Sequence, residues 1–260
     1  MNTPSNNTAA IEFRNVSYRL DDGHTLLHDL SLEIFRGETF VLLGRSGSGK
    51  TTTLKLINRL LAASSGEVCV DQHSVADWDV IRLRRSIGYV IQDVGLFPHF
   101  TVERNIGLVP RIENWPPDRI HARVQELLQL VGLEPSIASR YPRELSGGQR
   151  QRVGVARALA ADPPILLMDE PFGALDPITR TELQREFLAL QQRLHKTVVF
   201  VTHDLREALL LGTRIALMES GRLITVHTPE EFVNSNQPLV KAYLEAFGTG
   251  LDTQLKRGRP

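Results

Sequence analysis

Gly44-Arg45-Ser46-Gly47-Ser48-Gly49-Lys50-Thr51 has the spacing G-x-x-x-x-G-K-[ST] of a phosphate-binding loop. It follows an apolar run at residues 40–43 and continues as Thr52-Thr53-Leu54-Lys55-Leu56-Ile57, so the local order reads strand, glycine-rich turn, helix. Glycines let successive backbone N–H groups converge on phosphate oxygens, and a helix N-terminus adds positive potential there. In that chemistry Lys50 supplies a point charge to the β- and γ-phosphates and the Thr51 hydroxyl binds Mg²⁺. A glycine-serine turn with an incidental lysine is the bland alternative, and the strand before and helix after weigh against it. The stretch predicts a nucleotide site.

Working outward, residues 165–168, 198–201 and 215–218 form further compact apolar blocks. Such blocks suit strands covered by helices on both faces, so the chain reads as α/β. Residues 11–16 and 32–34 alternate more and suit an antiparallel β edge. The stretch between residues 43 and 165 differs in character. It holds a Pro-rich connector from Val109-Pro110 to Trp115-Pro116-Pro117, then a helix with Val124, Leu127, Leu128 and Val131 on one face. Two helical segments without an apolar strand between them predict an inserted α-helical subdomain over about residues 94–160. No internal repeat is visible.

The 260 residues carry 30 basic and 30 acidic side chains, a formal charge of zero, which argues against a nucleic-acid partner. With a single cysteine, Cys69, no disulfide forms within the chain, and a reducing compartment is the simplest reading. No apolar run approaches the twenty or so residues of a spanning helix. Residues 1–10 read as a polar tail without the apolar core of a signal peptide.

Ile165-Leu166-Leu167-Met168-Asp169-Glu170 ends an apolar strand in two carboxylates. If that strand lies next to the phosphate-loop strand, Asp169 holds Mg²⁺ and Glu170 polarises the water that attacks the γ-phosphorus. Further on, Leu145-Ser146-Gly147-Gly148-Gln149 opens a helix with Ser146 as its N-cap, a second terminus able to meet an anion. A bare S-G-G-Q leaves an ordinary capped helix open.

L-S-G-G-Q set between the phosphate loop and I-L-L-M-D-E resembles the ABC-type ATPases, over about residues 11–230. The resemblance implies a P-loop NTPase of the ABC type, with a RecA-like core, and ATP and Mg²⁺ as cofactors. It implies that Gly44, Arg45, Ser46, Gly47, Ser48, Gly49, Lys50, Thr51 and Thr52 bind nucleotide, with Tyr18 stacking on adenine, although a lone strand tyrosine equally suits core packing. Thr51, Gln92 and Asp169 would hold the metal. Glu170, His203, Lys50 and Gln92 would form the catalytic set, His203 contacting the γ-phosphate and Gln92 reporting to a membrane partner. Ala174-Leu175-Asp176 resembles the loop that crosses a dimer interface. In such proteins Ser146, Gly147, Gly148 and Gln149 serve a neighbour's ATP, so a homodimer is expected.

Three stretches narrow the resemblance: Leu56-Ile57-Asn58-Arg59-Leu60, Val90-Ile91-Gln92-Asp93-Val94-Gly95-Leu96-Phe97-Pro98-His99-Phe100-Thr101-Val102, and Gly107-Leu108-Val109-Pro110. Together they are similar to ATPases of glycine betaine, choline and carnitine importers. That implies an ATP-hydrolysing subunit, peripheral on the cytoplasmic face of the membrane, working with separate transmembrane permease subunits and a periplasmic or lipid-anchored substrate-binding protein. The ATPase domain is expected over residues 11–247, followed by a basic tail at 248–260 and no CBS regulatory domain. An importer of another polar solute is the near alternative. A soluble ABC ATPase would usually carry tandem domains or a long coiled coil, and a non-hydrolysing switch would lack Glu170.

Overall fold

Every residue of Thr39–Leu43, Ile165–Asp169 and Thr197–Thr202 is buried, as strands covered on both faces must be. The computed structural model describes residues 8–92 and 94–247. Its strands are β1 (Ala9–Arg19), β2 (Thr25–Phe35), β3 (Thr39–Leu43), β4 (Ser65–Val70), β5 (His73–Ser74), β6 (Ile87–Val90), β7 (Ile165–Asp169), β8 (Thr197–Thr202), β9 (Arg214–Glu219) and β10 (Arg222–His227). The helices are α1 (Lys50–Ile57), α2 (Val80–Arg85), α3 (Val102–Ile106), α4 (Leu108–Ile112), α5 (Pro117–Leu130), α6 (Gly147–Leu159), α7 (Pro177–Leu194), α8 (Leu205–Leu211), α9 (Pro229–Val233) and α10 (Pro238–Phe247).

The main sheet runs β10-β9-β3-β8-β7-β6, parallel except for the β9–β10 hairpin. A second, antiparallel sheet runs β2-β1-β4-β5. Alternate residues of the main sheet face two cores. Phe40, Leu42, Val199, Val201, Leu167 and Met218 pack toward α1 and the antiparallel sheet. Val41, Leu43, Phe200, Leu166, Met168 and Leu217 pack toward the helices. The fold is therefore α/β, with the expected antiparallel edge.

Three details depart from the sequence reading. β8 lies between β3 and β7, so the strand carrying Asp169 is one removed from the phosphate-loop strand rather than next to it. An apolar run pairs equally well with any parallel neighbour, which is why its sequence leaves the order open. Ala9 and Ala10, expected in a tail, belong to β1, where Ala9 pairs with Phe35. Residues 1–7 and 248–260 of the expected tails lie outside the described residues. Finally, the Pro-rich connector is partly helical. Pro110 is the third residue of α4, where the missing N–H has no intrahelical acceptor to lose, and Pro117 opens α5.

Candidate functional site

The phosphate loop leaves the carboxyl end of β3 and enters α1 through Gly49, whose φ of 98° is open to glycine at little cost. No side chain caps α1, so its N-terminal N–H groups face the loop's concavity. Lys50 is only 4% exposed, and its Nζ donates to the carbonyl oxygens of Gly44 (2.8 Å) and Arg45 (2.9 Å). Burial pushes its pKa down, and the Glu170 and Asp169 carboxylates oppose that shift. Next to it, Thr51 Oγ1 donates to Asp169 Oδ1 at 2.9 Å, so the helix start and the end of β7 meet. Burial raises the Asp169 pKa while the Thr51 hydrogen bond lowers it, and Tyr89 stands behind with its hydroxyl 3.5 Å from Oδ2.

Glu170 follows directly on β7 with φ 43°, a left-handed conformation that a side-chain-bearing residue holds only when its surroundings impose it. Its N–H donates to the Val201 carbonyl at 3.1 Å, which fixes the turn against β8. The carboxylate then points to the next loop, where His203 Nδ1 lies 3.0 Å from Glu170 Oε2. The histidine side chain is 60% exposed and the glutamate 20%, so the pair sits at the mouth of the site.

These groups line a cleft of about 700 Å³. Its walls are Arg45, Ser46, Gly47, Gly49, Lys50, Thr51 and Thr52 of the loop with Gln92, Glu170 and His203 opposite. Two wall residues escaped the sequence reading, Leu26 from β2 and Tyr243 from α10. Leu26 carries no signal beyond strand alternation, and Tyr243 arrives from almost two hundred residues beyond the loop.

Some expected residues lie elsewhere. Gly44 and Ser48 are buried beneath the loop and do not line the cleft. Tyr18 is also outside it. Its ring is partly buried against the core between the two sheets. Ser146, Gly147, Gly148 and Gln149 open α6 away from the cleft. There Gln149 N–H donates to Ser146 Oγ (3.2 Å) and Ser146 N–H donates to Gln149 Oε1 (3.0 Å), a reciprocal cap. Gly148 allows α6 to approach α7: a Cβ at that position would stand 2.7 Å from Thr179 Cγ2.

Among the described residues no group of three or more His, Cys, Asp or Glu side chains is assembled to cage a metal. Mg²⁺ takes one or two protein oxygens and completes its shell with phosphate and water, and the Thr51–Asp169 oxygen pair fits that pattern.

The ABC transporter family profile matches residues 27–173, more than half of the 260-residue chain. The chain belongs to the ABC transporter family. Its fold is that of the family's ATPases: the ATP-binding cassette MJ0796, whose dimeric structure holds ADP and Pi, superposes with a TM-score of 0.76 at 34% identity, covering 84% of this chain and 98% of that one. The choline transport ATP-binding protein OpuBA of Bacillus subtilis is 51% identical over 86% of this chain. The osmoprotectant import ATP-binding protein OsmV of Salmonella typhimurium is 51% identical over 88%. The chain spans 59% of the length of each of these two relatives. No helix among the described residues is long and apolar enough to cross a membrane.

Proposed function

We propose that the chain is the ATP-hydrolysing subunit of an ABC importer for a quaternary-amine osmoprotectant such as glycine betaine, choline or carnitine. The observation that carries the enzymatic part is the convergence of Lys50, Thr51, Gln92, Glu170 and His203 on one cleft. The substrate class is supported by relatives about half identical in sequence, whose names are choline transport and osmoprotectant import proteins.

In this reading the loop amides and Lys50 bind the triphosphate, Lys50 exchanging the Gly44 and Arg45 carbonyls for phosphate oxygens. Thr51 and Asp169, with Gln92 at the cleft wall, would hold Mg²⁺, which when bound neutralises charge on the β- and γ-phosphate oxygens. His203 holds one oxygen of Glu170 and leaves the other to orient the attacking water and accept its proton. Ser146, Gly147, Gly148 and Gln149, of which Ser146 is exposed and Gly148 packs beneath α7, serve the ATP of a second copy, so the active unit is a homodimer. Residues 11–247 act as the ATPase domain, and the helical subdomain over about 94–160 carries motion from Gln92 to separate permease subunits at the cytoplasmic face of the membrane. A substrate-binding protein delivers the solute to that permease.

The test is reconstitution of the full chain with its permease and binding protein in proteoliposomes. ATP hydrolysis stimulated by choline or glycine betaine, but not by a sugar or an uncharged amino acid, is the expected result. Hydrolysis that another polar solute stimulates instead overturns the substrate class, and absence of hydrolysis overturns the enzymatic reading.

A further inference from the structure

Glu207 is a carboxylate that the proposed chemistry does not use, yet it is only 4% exposed and both of its oxygens are bonded. It lies one turn into α8, directly behind the turn that presents His203. Its Oε2 accepts from Thr202 Oγ1 at 2.6 Å, and its Oε1 accepts from Gln184 Nε2 of α7 at 3.0 Å. An ionised carboxylate only accepts, so the Thr202 hydroxyl must spend its proton on Glu207. Its lone pairs are then free to receive the Asp204 N–H, which donates to Thr202 Oγ1 at 2.9 Å. The backbone on both sides of His203 is thereby tied to one buried anchor.

The same helix face holds the other loop. Arg180 lies one turn before Gln184 on α7, and its Nη2 reaches the Gly173 and Leu175 carbonyls at 3.3 and 3.2 Å, on the segment that follows Glu170. Another turn back, Asp176 caps α7. Successive turns of one helix therefore grip the loop after β7 and the turn after β8. Removing a buried carboxylate from such a network costs more than one bond, because Thr202 and Gln184 then lose their partner together.

We infer that Glu207 is a positioning residue for ATP hydrolysis: through Thr202 and Gln184 it fixes His203 relative to Glu170, and α7 serves as the brace between their two loops. The inference rests on the proposed roles of Glu170 and His203. It goes beyond them because Glu207 does not line the cleft and reaches its residues only through Thr202 and Gln184.

The experiment measures steady-state ATP hydrolysis, nucleotide affinity and thermal midpoint for the full chain and the variants Glu207→Ala, Glu207→Gln, Thr202→Val and His203→Ala. Glu207→Ala and Thr202→Val are expected to lower kcat roughly 10- to 100-fold, the loss that a misplacement of about 1 Å produces, with KM and nucleotide affinity within about threefold. Glu207→Gln is expected to recover most of that loss. A glutamine still accepts from Thr202, and the Gln184 amide turns over to accept from its NH₂. The Thr202→Val/Glu207→Ala double variant is expected to be no slower than the slower single variant, because both break one linkage.

Wild-type kcat in Glu207→Ala, alongside loss in His203→Ala, overturns the brace and leaves His203 standing. Wild-type kcat in His203→Ala overturns the role of His203 itself. Parallel loss of affinity and thermal midpoint in Glu207→Ala, without rescue by glutamine, reduces Glu207 to a fold residue and also overturns the inference. Should Glu207→Ala fail to fold, Thr202→Val decides by the same criteria, since it removes a single hydroxyl with little change of shape.

Discussion

His203 Nδ1 and Glu170 Oε2 stand 3.0 Å apart, so a residue at the end of one buried strand is held by a residue just beyond its neighbour. β7 and β8 are adjacent and in register, Asp169 opposite Val201, which brings the two turns to the same edge of the sheet. The left-handed backbone at Glu170 swings the carboxylate toward the histidine and the cleft rather than along the strand. The geometry of this pair is thus a consequence of strand pairing plus one unusual dihedral. It also means that Asp169 and Glu170, although consecutive, do different work: Asp169 faces Thr51 and Glu170 faces His203.

Glu170→Gln keeps the shape and an oxygen for His203 but cannot take up a proton from water. Hydrolysis is expected to fall at least about 100-fold, the scale of a lost general base. ATP binding should persist and the ATP-bound dimer accumulate. Phosphate release measures the first effect and size-exclusion chromatography with ATP the second. Turnover at the wild-type rate would remove Glu170 from the catalytic set.

Lys50 is held against the loop by two carbonyl oxygens, so its substitution removes the proposed charge-assisted contact to phosphate without emptying the core. Losing such a bond costs about 1.5–3 kcal/mol, or roughly 10- to 100-fold in nucleotide affinity. Lys50→Ala is expected to show that loss in titrations with a fluorescent ATP analogue. Lys50→Arg is expected to fare no better, because a planar guanidinium does not fit a buried site shaped for a compact ammonium.

Asp176 caps α7 by accepting from the Ile178 and Thr179 N–H groups, both at 3.1 Å. Hydrogen bonds from Thr179, side chain first and then backbone, hold its carboxyl below the usual carboxylate range. A depressed folded-state pKa means the unfolded chain binds protons first. The stability contributed by the ionised cap is therefore complete above the unfolded value of about 3.9 and disappears as pH falls through the lower folded value. Relative to Asp176→Asn, the wild-type thermal midpoint should hold a constant offset from about pH 7 to pH 5 and lose it progressively as pH falls below the unfolded carboxylate value of about 3.9. An offset unchanged across the whole range would show that the charge at this cap does not matter.

The strands that bear the site were legible because they are short unbroken apolar blocks, and the phosphate loop because its glycines and lysine have few other uses. β6 was not expected because Gly88 interrupts its apolar run, and β4 because Ser65, Gly66 and Glu67 leave it only the short block Val68-Cys69-Val70. Sheet order was equally hidden: Val198, Val199, Phe200 and Val201 pair with β3 on one side and β7 on the other, and nothing in four apolar residues names those partners. Tyr243 and Glu207 were invisible for a different reason. Their importance lies in contacts with distant segments, which only the folded chain brings together.

Phe200 lies at the centre of the aromatic group behind the edge that carries Glu170 and His203, its ring 5.7 Å from Phe172 and 6.3 Å from Phe187. It is fully buried in β8, three residues before His203. Phe200→Ala is expected to cost about 3–5 kcal/mol in unfolding free energy, the range for a buried aromatic whose cavity cannot collapse. Denaturant titration followed by circular dichroism measures it, and a loss under about 1 kcal/mol would mean that the surrounding rings repack.

Ser146 is exposed in a single protomer and opens α6 away from the cleft that holds Lys50 and Glu170. If it serves a neighbour's ATP, an arginine there should leave nucleotide binding within about threefold and abolish hydrolysis, the cap itself being worth only about 1 kcal/mol of stability. Mixing separates the two geometries. A Ser146→Arg chain keeps its phosphate loop and a Lys50→Ala chain keeps its signature helix, so a mixed dimer contains one intact composite site and one doubly damaged site. With random pairing of equal amounts, hydrolysis is expected to recover to roughly a quarter of wild type, because half the dimers are mixed and half of their sites are whole. If the signature acted on the ATP of its own chain, neither variant could complete the other and the mixture would stay inactive.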